Sequence, residues 1–139
     1  MHDKLILPET MYDELVLAAR SARKNAYCRY SAFAVGAALL CKDGTIYTGC
    51  NVENASYSLG ICAERTAFCK AAADGYRKGD FAAIAIAGGE EGMPPEQPCY
   101  PCGACRQVMA EFCGDDFEVI LADRVYTLAE LLPYRFALD

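Results

Sequence analysis

Between residues 8 and 27, apolar side chains recur at Met11, Leu15, Ala18, Ala19 and Ala22, the spacing of one helical face. Thr10 supplies a cap and Glu14 an acidic early turn, so an opening helix is predicted. Residues 33–41 are apolar and β-rich, Lys42-Asp43-Gly44 supplies turn chemistry, and residues 45–51 return as a second strand, which together make a hairpin. Residues 62–73 are rich in helix formers and stop at Asp74-Gly75. Residues 81–87 form a short apolar run bounded by turn residues, the pattern of a buried strand. The next stretch, 88–98, holds three prolines and three glycines and is predicted to be a loop. Residues 103–113 predict a helix stopped by Gly114, 117–122 a strand, and 128–132 a last short helix closed by Pro133. Strands alternating with helices indicate an α/β sheet protein.

No linker, repeat or low-complexity segment interrupts this order, and 139 residues suffice for one core, so a single domain over residues 1–139 is expected. Hydrophobic residues at 54% and charged residues at 23% place the chain among globular proteins rather than disordered ones. The formal net charge is −6 and no run of Lys and Arg occurs, which argues against a nucleic-acid partner. Apolar stretches are short and interrupted, and residues 1–8 lack the features of a signal peptide. The expectation is therefore a cytoplasmic protein without a membrane partner.

Nine cysteines, an odd number, cannot all pair internally. In a reducing compartment clustered cysteines point to metal or catalysis, whereas isolated ones default to small, buried, inert side chains. Cys28, Cys41, Cys50, Cys69 and Cys113 are assigned that default.

Cys102-Gly103-Ala104-Cys105 has the gap that lets both sulfurs of one turn reach a single tetrahedral ion. A redox dithiol is the first competitor, but thioredoxin-like motifs follow the first strand of their fold, and this one lies late, with Pro101 before it. A structural zinc site would need a fourth protein ligand. The only histidine, His2, sits at the end of the chain, which leaves Cys99 for that place. With Cys62, Cys102 and Cys105 as three ligands, a fourth position stays open for water, as catalytic zinc requires.

Glu64 favours the catalytic arrangement. Cys62-Ala63-Glu64 puts a carboxylate two residues after a candidate ligand at a helix start, and with Pro-Cys-x-x-Cys downstream this is the pattern of zinc-dependent hydrolytic deaminases, whose third ligand is His or Cys. Zinc in such a site activates a water molecule, and Glu64 would shuttle its proton to the ring nitrogen and then to departing ammonia. The bland alternative for Glu64 is a solvated first-turn residue that suits the helix dipole. Three thiolates around one Zn2+ leave an anionic centre, so at least one of Arg65 and Arg106 is expected to donate hydrogen bonds to the ligand sulfurs; otherwise both are surface arginines.

These residues resemble the small, homotetrameric, zinc-dependent cytidine deaminases. Besides Cys62-Ala63-Glu64-Arg65-Thr66-Ala67 and Pro101-Cys102-Gly103-Ala104-Cys105-Arg106-Gln107, the resemblance includes Tyr30-Ser31-Ala32-Phe33-Ala34-Val35-Gly36-Ala37-Ala38 and Gly49-Cys50-Asn51-Val52-Glu53-Asn54-Ala55-Ser56-Tyr57. It implies a three-layer α/β/α fold with a mixed central sheet of about five strands. It also implies one Zn2+ per subunit and hydrolysis of cytidine and 2′-deoxycytidine to the uridine products plus ammonia. By the same resemblance, Asn51 and Glu53 bind the ribose 3′-hydroxyl, Phe33 lines the pyrimidine pocket, and Ala55, Tyr57 and Ala63 complete the substrate site. Phe136 would reach into a neighbouring subunit's site, placing the active sites of a homotetramer at subunit interfaces. A carboxylate at Glu53 accepts from a hydroxyl but repels phosphate, which suits a free nucleoside.

Two departures stand out. Tyr100 replaces the Ser or Thr usual before Pro-Cys, which bears on substrate range. Cys99 creates a Cys-x-x-Cys-x-x-Cys run, so spacing alone leaves the choice of two ligands from three open, while Pro101 and the resemblance favour Cys102 and Cys105. The alternatives are a related deaminase acting on a nucleoside-like antibiotic such as blasticidin S, on a free base or on a nucleotide; a structural zinc module that binds another protein; and a polynucleotide-editing role.

Overall fold

Helix α1 (Glu9–Ala22) starts after Pro8, which makes no side-chain cap. Thr10, the expected cap, lies inside the helix; the fixed φ of proline already favours the helical entry, and the Pro8 carbonyl accepts from the Met11 N–H at 2.9 Å. The computed structural model describes residues 6–138, so His2 and the start of the 1–8 segment lie outside the described residues. α1 buries Tyr12, Leu15 and Ala19 and then tightens into a 3-10 turn, Arg23–Asn25, short of the predicted end at residue 27.

Strands β1 (Phe33–Cys41) and β2 (Ile46–Cys50) form the predicted hairpin, with Gly36 opposite Cys50 and Leu40 opposite Ile46. A 3-10 turn at Tyr57–Leu59 precedes α2 (Ala63–Ala73). Next come β3 (Phe81–Glu90), α3 (Gly103–Phe112), β4 (Glu118–Ile120), β5 (Val125–Thr127) and α4 (Leu128–Leu131). The strand order is β2-β1-β3-β4-β5, and only β3 and β4 run parallel. Their crossover carries α3, since a parallel pair cannot be joined by a tight turn.

The sheet is covered on both faces, as expected for α/β/α layering. Ala37, Leu39, Cys41, Ile84, Ile86 and Val119 pack with Ala63, Ala67 and Phe68 of α2 and Met109 of α3. The alternate residues Ala38, Leu40, Ala83, Ala85, Ala87 and Ile120 pack with Tyr12, Leu15 and Ala19 of α1. This is the period-two split of a sheet buried on both sides.

Three sequence expectations change. The predicted loop over 88–98 begins only after Glu90, because Gly88, Gly89 and Glu90 pair with Val35, Ala34 and Phe33 and satisfy the backbone of the start of β1. Strand β5 completes the five strands that the resemblance implied but was not placed by the residue pattern; it is three residues long and pairs with β4. Of the five cysteines assigned to buried packing, Cys28, Cys41 and Cys113 are buried, Cys50 is half-buried and Cys69 is exposed.

Two glycines in the sheet set the position of the helices: Gly36, where a Cβ would clash with the Ala19 carbonyl oxygen of α1, and Gly49 against α2. A Cβ on Gly49 would stand 2.4 Å from the Ala63 carbonyl oxygen and 2.7 Å from the Ala67 nitrogen, so α2 lies directly on the backbone of β2. Thr66 Oγ1 adds a tie from α2 to the Cys50 carbonyl at 3.1 Å. The first turn of α2, which carries Cys62 and Glu64, is thereby fixed against the sheet.

Candidate active site

Two helix starts meet at the site. Cys62 is the N-cap of α2 and Cys102 the N-cap of α3, both in extended backbone conformation, and neither side chain caps its helix. Their sulfurs turn towards each other rather than back onto their own helix ends. Cys105, in the first turn of α3, is fully buried.

The sulfurs of Cys62, Cys102 and Cys105 lie within 4.8 Å of one another, with 3.9 Å between Cys62 and Cys102. Thiolates around one tetrahedral ion with ~2.3 Å metal–sulfur bonds sit roughly 3.8 Å apart, so this donor set fits zinc in both chemistry and spacing. Among the described residues these three form the cluster, and Cys99 is not part of it. Cys99 instead packs against Gly88, where a Cβ would meet its Sγ at 2.5 Å. Burial, with Glu64 and Cys62 nearby, pushes the Cys99 thiol up to about 11.

Charge within the cluster is unevenly shared. A hydrogen bond from the Cys105 thiol, helped by the Arg65 guanidinium, holds Cys62 down to about 5 against the cost of its burial. The same hydrogen bond and burial push Cys105 upward. Arg65 Nη2 donates to the Cys62 sulfur at 3.6 Å. Arg106 turns elsewhere: its Nε donates to the Pro101 carbonyl at 2.8 Å and its Nη1 to the Leu131 carbonyl at 2.6 Å. It holds the loop before Cys102 against α4, and of the two arginines it is Arg65 that reaches a sulfur.

Glu64 is only 5% exposed, so the solvated first-turn alternative does not hold. Burial pushes its carboxyl up to about 7, and the negative charge at Cys62 adds to that shift. It opens onto a cavity of about 380 Å³ that is also lined by Cys62 and Cys102. Asn51, Glu53, Tyr57, Ala63 and Arg65 line the same cavity, which brings together most of the residues singled out from sequence. Phe33, Ala55 and Phe136 are not among the residues lining it. The Phe33 ring lies beside Gly88, Ala55 is exposed, and Phe136 is exposed with its carbonyl accepting from Gln107 Nε2 at 3.0 Å.

Sequence reasoning missed Val35, Val52, Gly60, Ile61 and Cys99 as lining residues, while Tyr100, singled out for its bearing on substrate range, does line the cavity. Val35 reads as a core strand residue. Gly60 and Ile61 directly precede Cys62, the one signal that could have found them. Val52 is carried with them, since Val52 and Ile61 exchange backbone hydrogen bonds of 3.0 and 2.9 Å.

Hydrogen bonds hold the part of the cavity lining formed by Asn51 and Glu53. Asn51 Nδ2 donates to the Phe33 carbonyl at 2.8 Å, and its Oδ1 accepts from the Val35 N–H at 2.9 Å. Glu53 accepts from the Ser31 hydroxyl and from the N–H groups of Tyr30 at 2.9 Å and Ser31 at 3.1 Å. The Ser31 hydrogen bond first, then those backbone donors, keep its carboxyl below the usual carboxylate range.

A cluster of three cysteines beside a buried, protonatable carboxyl, on a mixed α/β/α sheet, defines a hydrolase of the deaminase class. Residues 10–121 match the family described as the cytidine and deoxycytidylate deaminase zinc-binding region, and the chain belongs to that family. It is 49% identical over 130 residues to a cytidine deaminase of Sporosarcina psychrophila, covering 90% of each chain. A cytidine deaminase of Halalkalibacterium halodurans is 48% identical over 130 residues, covering 90% of this chain and 93% of that protein. The crystal structure of a cytidine deaminase from Burkholderia pseudomallei superimposes with a TM-score of 0.81 at 51% identity, covering 89% of this chain and 98% of that one.

Proposed function

We propose that this protein hydrolyses cytidine and 2′-deoxycytidine to uridine and 2′-deoxyuridine with release of ammonia. The observation that carries this reading is the buried Glu64 carboxyl opening onto the cavity that also holds the Cys62 and Cys102 sulfurs, in a chain about half identical to cytidine deaminases. Relatives at that level of identity favour the nucleoside over an antibiotic substrate.

Cys62, Cys102 and Cys105 would hold one Zn2+ per subunit, which when bound supplies the Lewis acidity that makes water nucleophilic near neutral pH. Glu64, with its carboxyl near 7, accepts a proton from that water and gives it to the ring nitrogen next to the carbon under attack. It then takes the second proton from the hydroxyl now on that carbon and passes it to the leaving amino group, so that cytidine and water become uridine and ammonia. Arg65 offsets part of the thiolate charge through its contact with Cys62.

Glu53, held ionised by three donors, accepts from a ribose hydroxyl. Asn51 spends one N–H and one lone pair on β1, which leaves one of each for the same hydroxyl. Ala63 and Tyr57 border the bound nucleoside, and Phe33, Ala55 and Phe136 join it in a homotetramer whose neighbouring subunit supplies Phe136. The large apolar side chains exposed on one chain, among them Tyr57 and Phe136, suit such burial. The reading is of a single domain working in the cytoplasm on a free nucleoside, without nucleic acid; among the described residues no helix is long and apolar enough to cross a membrane.

The test is ultraviolet loss of cytidine with and without a zinc chelator, alongside Glu64→Gln. Turnover that needs the metal, and a variant that keeps zinc but loses turnover, are expected. A zinc-loaded wild-type protein inert towards cytidine and deoxycytidine would overturn the reading in favour of a structural zinc module.

A further inference from the structure

One wall of the cavity that holds Glu64 is formed by Tyr100, a residue about half exposed. Its outer end is tethered. The Tyr100 and Tyr126 hydroxyls lie 3.3 Å apart, and their rings meet edge to face with centroids 5.8 Å apart. The single hydroxyl hydrogen of Tyr126 goes to Asp123 Oδ2 at 2.7 Å, so Tyr100 must be the donor to Tyr126. Tyr126 is itself buried, with the Arg124 guanidinium 3.7 Å over its ring, and Arg124 pairs with Glu130 at 3.3 Å.

The backbone of Tyr100 is held as firmly as its ring. Cys99 before it packs against the bare backbone of Gly88, and Pro101 after it is buried with its carbonyl taken by Arg106. Tyr100 is therefore anchored at both its backbone and its hydroxyl, and an anchored side chain at a cavity discriminates by size.

We infer that Tyr100 is a specificity-determining residue that limits the bulk of groups attached at or beside the reacting carbon, with Tyr126 and Asp123 as the positioning residues that hold it. This rests on the nucleoside reading. The reacting carbon must come within reach of Glu64 and of the centre between the three sulfurs. Tyr100 stands two residues ahead of Cys102 on the same cavity wall. The groups it meets are those on the exocyclic amino nitrogen and on the adjoining ring carbon. The sugar lies towards the Asn51 and Glu53 rim and is not under its control.

The experiment compares kcat/KM for cytidine, N4-methylcytidine and 5-methylcytidine in the zinc-loaded wild type, Tyr100→Ser, Tyr100→Phe and Tyr126→Phe, with zinc content measured on each. A methyl group in a fitted pocket is worth roughly tenfold or more in kcat/KM. Tyr100→Ser should raise the methylated-to-unmethylated ratio by about that factor for at least one analogue. Tyr100→Phe and Tyr126→Phe keep the ring but cut the tether, and should raise the same ratio by a smaller factor. A merely structural role would lower all three substrates together and leave the ratio where it was. Normal cytidine turnover with unchanged ratios overturns this inference alone, and should Tyr100→Ser fail to fold, unchanged ratios in the two phenylalanine variants do so. A wild type inert towards cytidine overturns the nucleoside reading and this inference with it.

Discussion

Gly49 lies where any Cβ would stand 2.4 Å from the carbonyl oxygen of Ala63. Strand and helix backbones touch there, and Ala63 separates the candidate metal ligand Cys62 from Glu64. Gly49→Ala must push α2 outward, because both close atoms are backbone and neither can rotate away. A loss of roughly 1–3 kcal/mol is expected from such overpacking. Urea unfolding together with zinc content checks it, and wild-type values for both would show that α2 is not fixed by this contact.

Arg65 and Arg106 should separate by assay. Arg65→Gln removes the donor at the Cys62 sulfur, so in metal-stripped protein the alkylation of Cys62 should begin at higher pH than in the wild type. Zinc affinity or activity should fall by roughly 10- to 100-fold, as is usual when a hydrogen bond to a ligand is lost. Arg106→Gln removes ties to two backbone carbonyls instead, and should cost stability while leaving the alkylation profile of Cys62 in place. Identical profiles in both variants would contradict this division.

Cys99 offers a clean test of the ligand choice. Cys99→Ala should keep its zinc, whereas Cys62→Ala, Cys102→Ala and Cys105→Ala should each lose it, since only those three sulfurs converge. Metal analysis of the four purified variants decides the matter, and loss of zinc in Cys99→Ala would reopen the ligand set.

A pH effect is expected far from the site, where α1 meets β4. The Tyr12 hydroxyl donates to Glu118 Oε1 at 2.5 Å and accepts from the N–H groups of Ile6 and Leu7 at 3.1 Å each. Burial, then the bond to Glu118, raises Tyr12 above the ordinary value of 10.0. The unfolded chain thus releases this proton first, so the contribution of Tyr12 is complete below about pH 10 and disappears as pH rises through its higher folded value. Tyr12→Phe should lower stability at neutral pH by about 1–3 kcal/mol and make the alkaline decline shallower. Urea melts from pH 7 to pH 11 would show this, and equal slopes for both proteins would refute it.

Elements with a strong pattern of their own were legible in the sequence: α1, the β1–β2 hairpin, α2, α3 and the first part of β3 all lie where periodicity and turn residues put them. β5 and the last residues of β3 were not, because Val125–Thr127 is too short to carry a pattern and Gly88-Gly89 reads as a break. Their order comes from partners supplied elsewhere in the chain.

For the site, the residue types and spacing of Cys62, Glu64, Cys102 and Cys105 were enough to propose a metal centre and a proton carrier, and the fold brings the three sulfurs together. Side-chain chemistry and the position of a helix start are local properties, and local properties are written in the sequence. Tertiary structure decided what depends on distance between remote segments: that Cys99 faces Gly88 rather than the other sulfurs, and that Arg106 is drawn to the Leu131 carbonyl and not to a sulfur. It also decided that Tyr100 is pinned from outside by Tyr126. Each of these contacts joins residues brought together by the packing of helices on the sheet, and such neighbours leave no spacing for a sequence pattern to reveal.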